Sequence, residues 1–87
     1  MRRTPLHLKI DCHTLTTAHA IHESIAHQLN FPAYYGENLD ALKDCLQDVV
    51  IEHHIHLEWK DTRASKHDEK IQSIRKMIED ISSRNAH

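Results

Sequence analysis

Three carboxylates, Asp40, Asp44 and Asp48, recur at every fourth position. On a helix that spacing stacks them on one face. Like charges so placed repel by about 0.2–0.5 kcal/mol per pair. Asp40, at the helix start, recovers some of this from the helix dipole; Asp48, near the end, does not. The plain reading is a solvated face, and the functional one is an acidic docking surface for a cationic partner. Asp40 with Asp44, or His56 with Glu58, can also be written as an acid/base pair. No nucleophile motif, phosphate loop or cofactor motif accompanies either pair, and 87 residues leave little room for a cleft. The chain is therefore read as a non-enzyme without a cofactor. A second chemical candidate is His53-His54-Ile55-His56. On a strand His54 and His56 point the same way, flanked by Glu52 and Glu58, which suits zinc or nickel. No third ligand of clear spacing follows, so surface histidines are expected and no metal site. A modest pH response remains, because a chain with ten histidines gains positive charge as pH falls through about 6.5.

The surroundings favour docking over plain solvation. Between positions 37 and 58 the acids are Glu37, Asp40, Asp44, Asp48, Glu52 and Glu58, against Lys43 alone. Between positions 60 and 76 the balance reverses, with Lys60, Arg63, Lys66, Lys70, Arg75 and Lys76 against Asp61, Asp68 and Glu69. The formal net charge of −2 hides this segregation. It argues against a nucleic-acid partner and for steering of a basic protein onto the acidic side.

The elements that position these groups follow from periodicity. Leu6 to Ile10 alternates apolar and polar residues, as in a strand with one wet face. Possible N-caps at 14–17 precede Leu15, Ala18, Ile21, Ile25 and Leu29, a helical stripe that Asn30-Phe31-Pro32 ends. Residues 32–38 form a loop around Gly36, the only glycine, where a backbone angle unfavourable to other residues is expected. Asn38 is a natural N-cap for a second helix over 39 to about 49. Its apolar arc is Leu42, Cys45, Leu46, Val49 and Val50; its polar arc is Asp40, Lys43, Asp44, Gln47 and Asp48. Residues 51–59 alternate as a second strand, with Ile51, His53, Ile55, Leu57 and Trp59 on one face. A polar, basic connection leads to a last helix over about 68–82, striped by Ile71, Ile74, Ile78 and Ile81. The order predicts one α/β domain over 1–87, with a two-stranded parallel sheet and helices packed mainly on one face. Cys12 and Cys45 sit in no CxxC pair and read as thiols. No apolar run approaches the 18 or so residues of a membrane span. A basic start without an apolar core is no secretory signal, so the chain reads as cytoplasmic.

The run Tyr34-Tyr35-Gly36-Glu37-Asn38-Leu39-Asp40-Ala41-Leu42, followed by Asp44-Cys45-Leu46, closely resembles the signature of the barstar family of ribonuclease inhibitors. The resemblance takes in the first strand, Ile21-His22 and Leu29 of the first helix, Phe31-Pro32, and Leu57-Glu58-Trp59. It covers about residues 6 to 60 well and the last helix loosely. It implies an intracellular antitoxin or immunity protein that plugs the active site of a small basic, barnase-type ribonuclease in a one-to-one complex. Asp44 matches the family's central acidic contact, in the place of an RNA phosphate, and Asp40 a second one. Tyr34, Tyr35, Gly36, Asn38 and Leu39 match its loop and helix-start contacts. Lys43 and Gln47 lie on the same helix face. A rigid carboxylate aimed at a preformed anion site makes short, charge-assisted hydrogen bonds.

Three departures qualify the resemblance. Lys43 stands where the family usually has Trp; it can pair with Asp40 or Glu37, or meet an acid on a different enzyme. The family's late acidic contact falls on Asp80 or Glu79, with Asp80 preferred. The family's last strand has no apolar counterpart in residues 82–87, which leaves sheet edges exposed to self-association. Two alternatives are carried beside the inhibitor reading. One is a barstar-like interaction module that neutralises a different toxin or has lost inhibition. The other, more distant, is a histidine-rich metal-binding or pH-sensing protein.

Overall fold

A computed structural model describes residues 4–84 of the chain. Six elements follow in order: β1 (Thr4–Asp11), α1 (Ala18–Gln28), α2 (Leu39–Glu52), β2 (His53–Lys60), α3 (Arg63–Lys66) and α4 (Glu69–Arg84). The two strands pair in parallel, with Leu6 opposite Ile55, Leu8 opposite Leu57 and Ile10 opposite Trp59. Parallel neighbours need a long crossover, and here α1 and α2 supply it. Leu8 and Ile10 turn inward and are fully buried, while His7 and Lys9 face out. The alternation read from the sequence thus holds, with helices on one sheet face. β2 repeats it: Ile55, Leu57 and Trp59 pack against the core, and His56 and Glu58 are exposed.

The core is a stack of branched aliphatics. Ile21, Ile25 and Leu29 come from α1; Leu42, Leu46 and Val50 from α2; Ile71, Ile74, Ile78 and Ile81 from α4. These are the centres of the three stripes expected from spacing; Leu15, which precedes α1, and Ala18, Cys45 and Val49 are only partly buried. Each helix start has its own cap. Thr17 accepts from the Ala20 amide at 3.0 Å, and Asn38 from the Ala41 amide at 2.8 Å. The Asp68 carboxylate accepts from the amides of Lys70 and Ile71 at 3.0 and 3.1 Å.

Two boundaries differ from expectation. Helix α2 runs three residues further, to Glu52, and β2 starts at His53. Ile51, expected on the strand, is helical and 71% exposed. The β-branched run Val49-Val50-Ile51 reads as a strand, but Val50 continues the stripe of Leu46 and is buried. Burying that side chain outweighs local β preference. His53 then has an extended backbone, φ −127° and ψ 146°, so the helix passes into the strand without a turn. Residues 85–87, where the absence of a further apolar strand was expected, lie outside the described residues.

The connection after β2 is also more ordered than its polarity suggests. Thr62 and Ser65 form a reciprocal capping box that starts α3. Beside it the Asp61 carboxylate accepts from Trp59 Nε1 at 2.9 Å, Ser65 Oγ at 2.8 Å, Gln72 Nε2 at 2.9 Å and Arg75 Nη1 at 2.7 Å. Its side chain is only 9% exposed. Burial pushes this carboxyl up, but the hydrogen bonds and the Arg75 charge outweigh that and hold it below its ordinary value. Asp61 therefore ties β2, α3 and α4 together. Asp61→Ala should lower unfolding stability by about 2–3 kcal/mol, because it removes the shared acceptor of four donors, of which Ser65 Oγ and Gln72 Nε2 keep a carbonyl partner while Trp59 Nε1 and Arg75 Nη1 lose theirs. Urea denaturation measures this; a loss below about 1 kcal/mol would show the network to be dispensable.

Candidate protein-binding surface

The surface is built on α2. With Leu42, Leu46 and Val50 locked inward, Asp40, Lys43, Asp44, Gln47 and Asp48 must turn outward, and all five are exposed. Asp40 lies in the first turn, where the dipole favours it; Asp48 is a turn from the other end. Lys43 forms no ion pair among the described residues, so neither pairing considered for it, with Asp40 or with Glu37, is made. Leu39 is partly exposed at the helix start. Beneath the acidic face lies Cys45, whose thiol is pushed up by burial and then by Asp48 and Asp44. It floors a shallow groove between α2 and the loop, lined also by Phe31, Pro32, Tyr34, Asp44 and Asp48.

The loop at 32–38 places the two tyrosines differently, as adjacent side chains on extended chain must. Tyr34 is 88% exposed. Tyr35 is half-buried against Phe31, with ring centroids 5.0 Å apart, and its hydroxyl is hydrogen-bonded to His22 Nδ1 at 2.7 Å. Tyr35 is thus an anchor and Tyr34 the free aromatic. Burial raises the Tyr35 phenol far above its ordinary value, so the hydroxyl keeps its proton. His22 is itself buried. That burial lowers its pKa, with His19 adding to the effect and Glu37 opposing it.

Gly36 corrects an expectation. Its backbone is not left-handed; Asn30 (φ 56°) and Glu37 (φ 51°) are. The glycine answers to space instead. A Cβ there would meet Asn38 Nδ2 at 3.2 Å and the Ala41 Cβ at 3.7 Å, and the same Asn38 Nδ2 donates to the Gly36 carbonyl at 3.4 Å. The cap of α2 folds over this glycine, so loop and helix start form one unit. Glu37, rather than Gly36, takes the left-handed angle. Its Oε1 faces His19 Nδ1 on α1.

Of the two late acids on α4, Glu79 is occupied by Arg75, at 3.3 Å from Nε. Asp80 is exposed and forms no ion pair among the described residues. It stands on a different element from the loop and α2, although α4 packs along α2. On the outer sheet face His7 stacks on His56, with centroids 5.2 Å apart. No group of three or more donors there, or elsewhere among the described residues, is arranged to hold a metal. Among the described residues no helix is long and apolar enough to cross a membrane. Sequence spacing alone missed His19 and His22, whose partners lie 13 to 18 residues away.

Two comparisons bear on this surface. The model of the family described as Barstar (barnase inhibitor) matches residues 6–87. Over 41 residues the chain is 46% identical to "Putative ribonuclease inhibitor YrdF" of Bacillus subtilis (strain 168). That match covers 47% of this chain and 45% of the relative, so it spans less than half of that protein.

The anchoring of Tyr35 has a pH consequence. His22 is favoured neutral in the fold, so the unfolded chain binds more protons just below the ordinary value of 6.5. Stability is then full above that value and falls as pH drops below it. Asp11 and Asp61, both lowered from 3.8, contribute only in more acid solution. Comparing urea midpoints at pH 7.5 and pH 5 should show a loss in the wild type that His22→Gln makes smaller. Equal losses in both would assign the slope to other groups.

Proposed function

The chain belongs to the barstar family, and from that premise we propose that it inhibits a ribonuclease by occupying the enzyme's active site. The observation that carries this reading is the exposed, rigidly backed face of α2, where three carboxylates at 40, 44 and 48 form no ion pair among the described residues. A ribonuclease active site is a preformed set of cations that holds phosphate. Asp44, at the centre of the ladder, takes the phosphate's place; Asp40 adds a second contact near the helix start. Tyr34 supplies exposed aromatic area at the loop tip, and Asn38 and Leu39 complete the rim. Gln47 extends the polar face, and Asp80 adds a distal acid from α4. The partner of this reading is a small basic, barnase-type enzyme bound one to one. The chain acts as an antitoxin or immunity protein in the cytoplasm, and residues 1–87 work as a single binding domain. An interface of about 800 Å² per partner suffices for tight binding when its central contacts are desolvated.

Lys43 favours a second reading of partner identity. It is a cation within an acidic face and forms no ion pair among the described residues. A partner with cations alone would be repelled there, whereas one with an acid opposite Lys43 would be selected. The enzyme inhibited is then a different toxin from barnase itself.

A three-variant series on inhibition of a barnase-type ribonuclease tests the proposal. Asp44→Ala should cost most, about 2–5 kcal/mol, because it leaves buried enzyme cations unpaired. Asp40→Ala should follow. Asp48→Ala, towards the rim, should cost below about 1 kcal/mol and act on the association rate and its salt dependence. Equal small losses from all three would mean diffuse steering in place of an active-site plug.

A further inference from the structure

The loop that completes the acidic surface contains an acid, Glu37, that is one-third exposed yet turns one oxygen inward. One oxygen of Glu37, Oε1, is shut off from water and finds no ordinary hydrogen-bond donor. What it does face is Nδ1 of His19, from the first turn of α1. The other nitrogen of the same ring, Nε2, lies 2.6 Å from Glu23 Oε1, one turn further along α1. An imidazole that meets carboxylates at both nitrogens can donate to both only as the imidazolium. A carboxylate oxygen removed from water is costly unless a cation compensates it. His19 is placed to supply that compensation; Lys70 of α4 lines the same hollow but forms no ion pair with Glu37 among the described residues.

The backbone at Glu37 also needs holding. Glu37 is left-handed, φ 51°, a conformation that residues with a Cβ avoid unless something holds them there. It directly precedes Asn38, whose side chain caps α2. Released, Glu37 would relax its backbone and carry with it both the cap and the loop tip. One turn beyond His19 on the same helix, His22 holds Tyr35. Two α1 side chains thus fasten two loop residues, one through a buried neutral contact and one through charge.

We infer that His19 is a positioning residue for the binding surface: by pairing with the inward-facing Glu37 carboxylate it fixes the loop at 34–38 and the start of α2 in their binding conformation. The effect on binding rests on the proposed function; the effect on the loop does not. His19 is exposed, with 69% of its side chain accessible, so the fold should survive its replacement. Its influence on affinity comes from a loop ordered before the partner arrives.

Two measurements on the full chain test this separately. In the free protein, amide hydrogen exchange of residues 34–38 should speed up about tenfold or more in His19→Gln, with α4 and the sheet unchanged. His19→Arg, which keeps a planar cation with several donors, should restore most of the protection. Adding His19→Gln to Glu37→Gln should cost little beyond Glu37→Gln alone. Unchanged loop exchange in His19→Gln, or an arginine variant as loose as the glutamine one, would overturn the inference. With a barnase-type ribonuclease, His19→Gln should weaken binding about tenfold and His19→Arg should recover it. Loop exchange that responds as stated beside a wild type that binds no ribonuclease would leave the clamp standing and remove the inhibitor reading instead.

Discussion

Everything on the binding face depends on one packing constraint: the burial of Leu42, Leu46 and Val50 of α2 among the isoleucines of α4 and the inner sheet face. A helix can bury only one stripe, so the opposite residues, Asp40, Asp44 and Asp48, have nowhere to go but solvent. Their mutual repulsion, two pairs at about 0.2–0.5 kcal/mol each, is small beside the burial. Each of the buried side chains contributes about 1.5–3 kcal/mol. The core therefore overrules the charges and holds them together as a ladder that an isolated peptide would resist. A partner's cations would relieve this repulsion, which is why an uncompensated acidic face that costs stability in the free protein suits a binding function.

The second support of that face is the first helix. Besides contributing Ile21, Ile25 and Leu29 to the core, α1 presents His22 to Tyr35 and His19 to Glu37. In the loop between α1 and α2, Phe31 and Tyr35 pack on each other and against the core. The loop's shape also comes from these side-chain tethers, from the Asn38 cap and from the small volume of Gly36. The arrangement leaves Tyr34, Asn38 and the α2 carboxylates outward and turns Glu37 inward, so neighbouring residues of one motif have opposite jobs.

Much of this was legible in the residues. The spacing of Leu42, Leu46 and Val50 against Asp40, Asp44 and Asp48 sets the orientation of α2 without any knowledge of its neighbours, and Asn38 announces its start. The alternation in β1 and β2 correctly puts one sheet face in solvent. Periodicity failed where two signals competed or where partners are distant in sequence. Val49-Val50-Ile51 is β-branched yet helical, because Val50 finds a core position only if the helix continues. Residue type points to Gly36 for the unfavourable backbone angle, but Glu37, whose carboxylate meets His19 of α1, is the left-handed residue. Asp61 reads as one more polar connector, and only the fold reveals that Trp59, Ser65, Gln72 and Arg75 converge on it. The preference for Asp80 over Glu79 rested on the resemblance alone; the Arg75 contact to Glu79 gives it a physical basis without testing it.

The central claim is that the α2 face and the loop occupy an active site. The most direct measurement is steady-state RNA cleavage by a barnase-type ribonuclease at several RNA concentrations, titrated with the folded wild-type chain. Occupation of the active site predicts complete inhibition near one equivalent, with an apparent inhibition constant that rises in proportion to RNA concentration as competition for one site requires. An apparent constant that does not change with RNA concentration, or no inhibition at all from a folded chain, would contradict it.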